Sequence, residues 1–380
     1  MATNIEVYNY EGQIERLLAR VKSSSLVEEN KQALQGFYRY LIANGLSSAR
    51  TCKYLLEAFR LSKLGAKPFV DFDKADVTDM VVHIETNNLW NEQTKHDYKL
   101  ALKRLFKFLR GTEDYPDEVR WIKIMFRSFR GVFPEILTEK EVRMMADVCT
   151  QPRDKALVLF LYESGCRIGE LVAMKIRDVV FDKYGVQAFV NGKTGPRRIR
   201  VIACVPALAF WINYHPSKTD PDALLWPSFG KKKAGSLVSP AWVAALLRKL
   251  AAKAGINKRV YPHLLRHSRA THLSKRLTEA QLKHLLGWTQ RSKMAATYVH
   301  LSGRDMDEAI LKINGMQLEP QDRPEDFSII TCERCGMRNS PGFSLCIRCG
   351  SLLSPGFQIS GDLARQNGTM DENGNQTGSV

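Results

Sequence analysis

No apolar run in the 380-residue chain reaches the roughly 18 residues that a membrane-spanning helix needs, so no part of it is expected to cross a bilayer. The N-terminal stretch MATNIEVYNYEGQIE lacks the basic-then-apolar order of a secretory signal, which argues against export. No internal repeat is present, and this removes solenoid and propeller architectures. Acidic residues are in deficit, 40 Asp and Glu against 56 Lys and Arg, for a formal net charge of +16. Cysteine is sparse through most of the chain. Cys52, Cys149, Cys166 and Cys204 stand singly, and the other four of the eight gather near the C-terminus. That spacing suits a reducing compartment and one metal site better than a disulfide framework, so a soluble cytoplasmic protein is expected.

What is present begins with basic residues dispersed along most of the sequence. Such a charge selects a polyanionic partner, most commonly nucleic acid; a membrane surface would attract the same charge, but nothing in the chain anchors it to one. The length allows two domains and a small appendage, each with its own core. Residues 1–130 read as a helical domain without a strand. Its last long helix, NEQTKHDYKLALKRLFKFLRG, carries Tyr98, Leu102, Leu105 and Leu109 as an apolar stripe. Lys99, Lys103, Lys107 and Arg110 run along an adjacent face, expected to point outward toward a DNA backbone, with a merely solvated face as the plainer alternative.

Gly131 and Pro134 interrupt the pattern, and a capping box from Thr138 to Glu141 restarts it, so residues 136–315 are expected to form the second domain. There a buried-looking helix, RDKALVLFLYESG, stops at Gly165. The segments VVF, VQAFV and RRIRVI, joined by the turns DKYG and NGKTGP, then predict a small sheet in which Ile199 and Val201 alternate with Arg198 and Arg200. Helical patterning returns after residue 240 and runs to about Asn314. The fold class read from these patterns is mainly α with a small β-sheet. A linker follows, then a cysteine module over 330–352 and a polar tail, 353–380, expected to be disordered.

The stretch PHLLRHSRATHL, Pro262 to Leu273, concentrates three histidines and two arginines at a helix start. His263 and His267 stand four apart on one face, the spacing of a zinc-binding pair. A zinc hydrolase of that type needs a carboxylate beside the first histidine, however, and here Leu264 occupies the position while Arg266 crowds the same face. An anion fits better: His263 and Arg266 share a face near the positive end of the helix dipole, where a phosphate would be held. Standing alone, such histidines are more often ordinary packed or surface groups.

They do not stand alone. In chain order come Arg167 in GCRIGEL, Lys193 in NGKTGP, His263 and Arg266 in HLLRH, Trp288 in LLGWT and Tyr298 in ATYVHLS. This order and these local patterns resemble the tyrosine recombinases, the phage integrase family, over about residues 136–314, and the YVHLSGRDMDEAI wording followed by a cysteine module looks most like archaeal members. The resemblance implies an N-terminal core-binding domain over 1–130 and a catalytic domain. It implies a site-specific recombinase or integrase that cleaves and rejoins double-stranded DNA through a covalent 3′-phosphotyrosine, serving integration, excision or dimer resolution. Tyr298 would be the nucleophile, Arg167 and Arg266 the clamp on the scissile phosphate, His263 an aid to proton transfer or a hydrogen-bond partner of that phosphate, and Lys193 the acid that protonates the leaving 5′-oxygen.

Elementary chemistry agrees with these roles, because attack on a phosphodiester builds charge on non-bridging oxygens that fixed guanidinium forks and a helix N-terminus after Gly165 would stabilise. A surface arginine and a solvated turn lysine are the bland alternatives for Arg167 and Lys193, and Arg197 and Arg198 compete for the second role. Trp288 stands where a histidine is commoner in the family; an indole donates one hydrogen bond but carries no proton, so it would pack and position. His267 and His272 read as structural. A phosphotyrosine conserves the bond energy, so no nucleotide cofactor and no catalytic metal is expected, in keeping with the missing Walker loop.

Cys332, Cys335, Cys346 and Cys349 form two Cys-x-x-Cys pairs ten residues apart, each followed by a glycine, Gly336 or Gly350, which predicts one structural zinc ion in a ribbon. Ser302 and Asp305 fit a helix start, and Met306, Ala309, Ile310 and Ile313 form an apolar stripe. The resemblance implies that this helix docks on a neighbouring protomer to build a tetramer on paired, nucleoid-borne sites. A type IB-like topoisomerase and a catalytically silent DNA-binding module are the competing readings.

Overall fold

The computed structural model describes residues 7–65, 67–124, 135–230, 234–299, 310, 311, 313, 314, 329–341, 343, 345–349 and 351–353. The chain divides into two compact units, Met1–Val132 and Phe133–Val380.

Among its described residues the first unit is helical and has no strand. It contains α1 Tyr10–Lys22, α2 Glu28–Ala43, α3 Ser48–Leu61, α4 Lys74–Thr86, α5 Glu92–Arg110 and the single-turn α6 Asp117–Arg120. Starts and stops follow local chemistry. Asp73 and Asp76 form a reciprocal capping box at α4, Asn91 accepts from the Thr94 N–H at α5, and α5 ends on Gly111 in the left-handed conformation. Leu34, Phe37, Leu41, Leu55, Phe59, Leu102, Leu105 and Phe106 supply the core. The stripe expected on α5 is buried at Tyr98, Leu102 and Leu105, with Leu109 packed at its edge.

The second unit is mostly helical around a three-stranded antiparallel meander. Its helices are α7 Glu139–Asp147, α8 Pro152–Ser164, α9 Ile168–Val172, α10 Val205–Asn213, α11 Pro240–Lys253, α12 Pro262–Ser274, α13 Glu279–Leu286 and α14 Met294–Val299. The capping box expected at Thr138 and Glu141 starts α7. Helix α8 is buried from Ala156 to Ser164, which is why its sequence shows no amphipathic stripe, and α12, α10 and α7 pack around it. Strands β1 Val179–Asp182, β2 Gly185–Gly192 and β3 Gly195–Val201 pair in order, with Val190 opposite Arg197 and Gly192 opposite Gly195. Val186, Ala188, Val190, Ile199 and Val201 face the core while Arg198 and Arg200 face out. The three backbone N–H groups leaving this sheet, at Ile202, Ala203 and Cys204, all donate to the buried Glu163 carboxylate.

The cysteine module, with β4 Ile330–Thr331 and β5 Arg338–Asn339, packs on α8 and α10. There the Ala207 N–H donates to Ser340 Oγ at 3.1 Å, and the Lys155 ammonium sits 4.2 Å from the centre of the Phe343 ring. The tail expected to be disordered, from residue 354 onward, lies outside the described residues, as do Ser302, Asp305, Met306 and Ala309 of the stripe after Tyr298. No helix among the described residues is long and apolar enough to cross a membrane.

Candidate active site and cysteine centre

The site is organised by the C-terminal end of α13. Three successive carbonyls there, at Leu285, Leu286 and Gly287, have no partner further along their own helix, and each accepts from a different arginine. Leu285 takes Arg197 Nε at 3.0 Å, Leu286 takes Arg266 Nη2 at 2.6 Å, and Gly287 takes Arg167 Nη2 at 2.8 Å. A helix C-terminus carries partial negative charge and orphan acceptors, so it gathers cations that would otherwise repel. Gly287 itself has φ +61°, and a Cβ there would lie 2.6 Å from Arg197 Nη1, so a residue without a side chain is needed at this crossing.

A second anchor is Glu170, buried on α9. Arg197 meets it in a fork, Nη1 to Oε1 at 2.9 Å and Nη2 to Oε2 at 2.8 Å, while Arg167 Nη1 reaches Oε1 at 2.9 Å and the Arg167 backbone N–H reaches Oε2 at 2.8 Å. Burial pushes this carboxyl up, but the hydrogen bonds and charge of Arg197 and the hydrogen bonds of Arg167 outweigh it and hold the group below the usual carboxylate range. Arg197 is therefore consumed by structure. Arg198 points outward on β3, which leaves Lys193, in the turn between β2 and β3, as the exposed cation of the hairpin tip. Lys193 makes no ion pair among the described residues, and its neighbour Thr194 ties the turn to the site by donating Oγ1 to the Gly287 carbonyl at 3.1 Å.

Arg266 is 3 % exposed and donates Nη1 to the Gly165 carbonyl at 2.7 Å as well as Nη2 to Leu286. Burial, then the Arg167 charge, lowers its pKa to about 10. Trp288 lies beneath it, with Arg266 Cζ 5.5 Å from the ring centre, and on Trp288 stacks Tyr298, with centroids 5.6 Å apart and planes within 7°. Tyr298, on α14, packs with Ala270, Leu282 and Leu286. Burial pushes its phenol up to about 12 against the opposing pull of Arg266. His263 shows an open edge to solvent, but the protein packed around its ring, followed by the charges of His267, Arg266 and Arg167, lowers it to about 4. Its ring stands edge to face against His267 at 5.0 Å.

Thus Arg167, Arg266, Trp288 and Tyr298 converge at one place, with His263 beside them and Lys193 on the adjoining turn. One expected contribution is smaller than foreseen. The helix after Gly165 is the single-turn α9, with Arg167 at its N-cap, so Arg167 is oriented by Glu170 and Gly287 and gains little from a helix dipole. Sequence reasoning missed Glu170 and Thr194, although Glu170, three residues after Arg167 and one helical turn away, carried a legible signal. It also read His267 as structural, whereas its Nδ1 lies in hydrogen-bonding contact with the Tyr298 hydroxyl. His272, hydrogen-bonded to Tyr162 at 2.6 Å, is bound into the packing.

The outward-facing basic face expected on α5 needs correcting. Lys103 is 7 % exposed, donates to the carbonyls of Ile122 and Arg120 at 3.1 and 3.3 Å, and lies 4.5 Å from the Tyr115 ring centre. The chain returning through α6 covers that face, which sequence periodicity within one helix could not reveal. Arg110 is held by Glu118 and the carbonyls of Val70 and Phe72, and Lys99 pairs with Glu85. Lys107 alone of the four has neither an ion pair nor a side-chain hydrogen bond among the described residues.

The ligand atoms of Cys332, Cys335, Cys346 and Cys349 lie within 4.8 Å of one another, with Cys332–Cys349 at 3.6 Å and Cys335–Cys346 at 3.5 Å. Four thiolates about 2.3 Å from a tetrahedral zinc ion would be separated by roughly 3.8 Å, so the donor set fits that metal and leaves no open position for chemistry. Gly336, at φ +69°, closes the first knuckle, its N–H donating to the Cys332 carbonyl at 2.8 Å. The Arg348 N–H donates to Cys346 Sγ at 3.4 Å.

Comparison with known proteins matches residues 135–304 to the phage integrase family. The chain is 34% identical over 217 residues to tyrosine recombinase XerA of Pyrococcus furiosus, covering 56% of this chain and 72% of that protein. It is 26% identical over 317 residues to tyrosine recombinase XerD of Rickettsia bellii, covering 78% and 95%. Among solved structures, the fold is similar to XerH site-specific recombinase bound to a palindromic difH substrate, with TM-score 0.57, 18% identity and coverage of 82% and 98%. A lambda integrase tetramer bound to a Holliday junction matches with TM-score 0.57, 18% identity and coverage of 76% and 82%.

Proposed function

The chain belongs to the phage integrase family of tyrosine recombinases, enzymes that cleave and rejoin DNA, and we propose that it performs site-specific recombination through a covalent 3′-phosphotyrosine on Tyr298. The observation that carries this reading is the convergence of Arg167 and Arg266 on the end of α13, with Trp288 and Tyr298 stacked against them. Two guanidiniums fixed by backbone carbonyls are preorganised cations, and charge developing on the scissile phosphate meets them without reorganisation. Tyr298 Oη bonds to phosphorus as the bond to the 5′-oxygen breaks. Lys193 supplies the proton that this oxygen needs, and His263 hydrogen-bonds the phosphate. Religation reverses each step, and the phosphotyrosine stores the bond, so no nucleotide and no catalytic metal enters. A zinc ion on the four cysteines supplies structure only.

Double-stranded DNA is the substrate, by analogy with the DNA-bound XerH and lambda integrase complexes and in keeping with the +16 charge. By the same analogy the active assembly is a tetramer on two paired sites, working on the nucleoid in the cytoplasm. The 50 % and 83 % exposure of Ile310 and Ile313 supports a helix after Tyr298 that docks in trans. Replacing both isoleucines with Asp is expected to leave single-site binding intact and abolish joining of two sites; a variant that joins them at the normal rate would overturn the trans contact.

The deciding experiment begins by selecting a preferred site from a random-sequence duplex library with the full-length protein, then placing that site in a nicked suicide duplex. Wild type is expected to form a covalent adduct that resists denaturation, and Tyr298→Phe is expected to bind equally and form none. An adduct in the variant would assign the nucleophile elsewhere; supercoil relaxation by wild type without joining of two sites would favour a topoisomerase.

A further inference from the structure

We propose that His267 is the group that takes the proton from Tyr298 as it attacks, an inference that rests on the reading of Tyr298 as nucleophile. The Tyr298 ring is fixed by Trp288, stacked at 5.6 Å, and its hydroxyl ends on His267 Nδ1. Since His267 and Tyr298 belong to α12 and α14, which pack together, this contact is built by the fold of the catalytic unit and needs no DNA to form it.

A base is required because burial leaves the Tyr298 phenol protonated at neutral pH, with a pKa near 12. A nearby base is available because burial, followed by the Arg266 charge, lowers the His267 pKa and keeps a lone pair free on the ring. His263 suits this duty less well. Among the described residues it makes no hydrogen bond to Tyr298, the contact that His267 alone of the two provides. The groups facing His267 are His263 and Arg266 on its own helix and Tyr298 on α14, with Tyr261 beyond. From α8, Tyr162 and the Glu163 carbonyl engage His272 and Arg269 instead. On α13, Lys283 pairs with Glu279, and Arg248, Lys249 and Lys253 of α11 are exposed.

The step balances. As the Oη–phosphorus bond forms, the phenolic proton passes to His267 Nδ1; as the phosphorus–O5′ bond breaks, Lys193 protonates the oxygen. On rejoining, Lys193 takes that proton back and His267 returns its own to Tyr298. The sequence hinted at this through the four-residue spacing of His263 and His267, which puts both rings on one helix face.

The test is single-turnover adduct formation on the suicide duplex described above, using full-length His267→Gln, which keeps the size and polarity of the side chain but cannot carry the proton. Adduct formation is expected to fall about 10²–10³-fold at pH 7 with site binding unchanged. The deficit should shrink about tenfold per pH unit as hydroxide takes over the deprotonation. A 5′-bridging sulfur at the cleavage site, which removes the need for leaving-group protonation, should leave the His267 defect in place. In His267→Ala, added imidazole is expected to restore adduct formation. Wild-type rates in His267→Gln, or a deficit identical at pH 7 and pH 9.5, would overturn the assignment. Failure of the underlying reading would show separately, as an adduct formed by Tyr298→Phe.

Discussion

Glu170→Gln is nearly isosteric and removes one charge from the centre of the arginine cluster. The carboxylate accepts four hydrogen bonds, two from the Arg197 fork, one from the Arg167 side chain and one from the Arg167 backbone N–H. A carboxamide keeps one oxygen and turns an NH₂ group toward guanidinium donors, leaving Arg197, itself 9 % exposed, without its counter-charge. Removing one partner of a buried ion pair costs about 3–5 kcal/mol. For a unit of this size, with roughly 2–4 °C of melting temperature per kcal/mol, the loss amounts to about 6–20 °C in the transition of the catalytic unit. Arg167 would also swing on its remaining contact with Gly287, and a displacement on the order of 1 Å costs about 10²-fold in rate.

The pH dependence has a definite sign. The folded carboxyl titrates below its unfolded value of 4.5, so its contribution is fully present above that pH and is lost as pH falls through the lower, folded value. Calorimetry of the two proteins should therefore show a constant gap from pH 8 to pH 5 that closes at more acid pH. Equal melting temperatures at pH 7 with undiminished adduct formation would refute the account of Glu170 as the anchor of the site.

Gly287→Ala places a Cβ 2.6 Å from Arg197 Nη1 at a left-handed φ of +61°; a loss of about 1–2 kcal/mol from the backbone alone, measured by chemical denaturation, should accompany slower cleavage. Lys193→Ala should leave melting unchanged, because the side chain is exposed on the turn. Its adduct formation should fall by about 10²–10⁴-fold on an oxygen leaving group and recover on a 5′-bridging sulfur, and no recovery would remove Lys193 from leaving-group protonation. One zinc equivalent should co-purify with the protein and be lost in Cys332→Ser, as read by elemental analysis. Chelation should melt the cysteine module and, through the lost Ser340 and Phe343 contacts with Ala207 and Lys155, lower the catalytic unit by about 1 kcal/mol. Abolished cleavage after removing residues 320–380 would instead give the module a part in the reaction.

The sequence by itself determined what is local or ordered along the chain. Caps at Thr138 and Asn91, the period-two alternation around Ile199 and Val201, the Cys-x-x-Cys pairs and the linear order Arg167, Lys193, His263, Arg266, Trp288, Tyr298 are readable because each depends on neighbours a few residues away or on succession alone. The tertiary structure decided where each cation's charge goes. Arg197 and Arg198 are adjacent and chemically identical, yet one is locked to Glu170 and Leu285 and the other faces out, because the pleat points them to opposite sides of the sheet and α9 and α13 lie on only one of them. Lys103 shares a helix face with Lys107 but is sealed by the segment around α6, far along the chain. His267 meets Tyr298 only once α14 folds back on α12, 31 residues later. Such long-range contacts cancel, bury or couple charged groups, and no periodicity in the sequence encodes them.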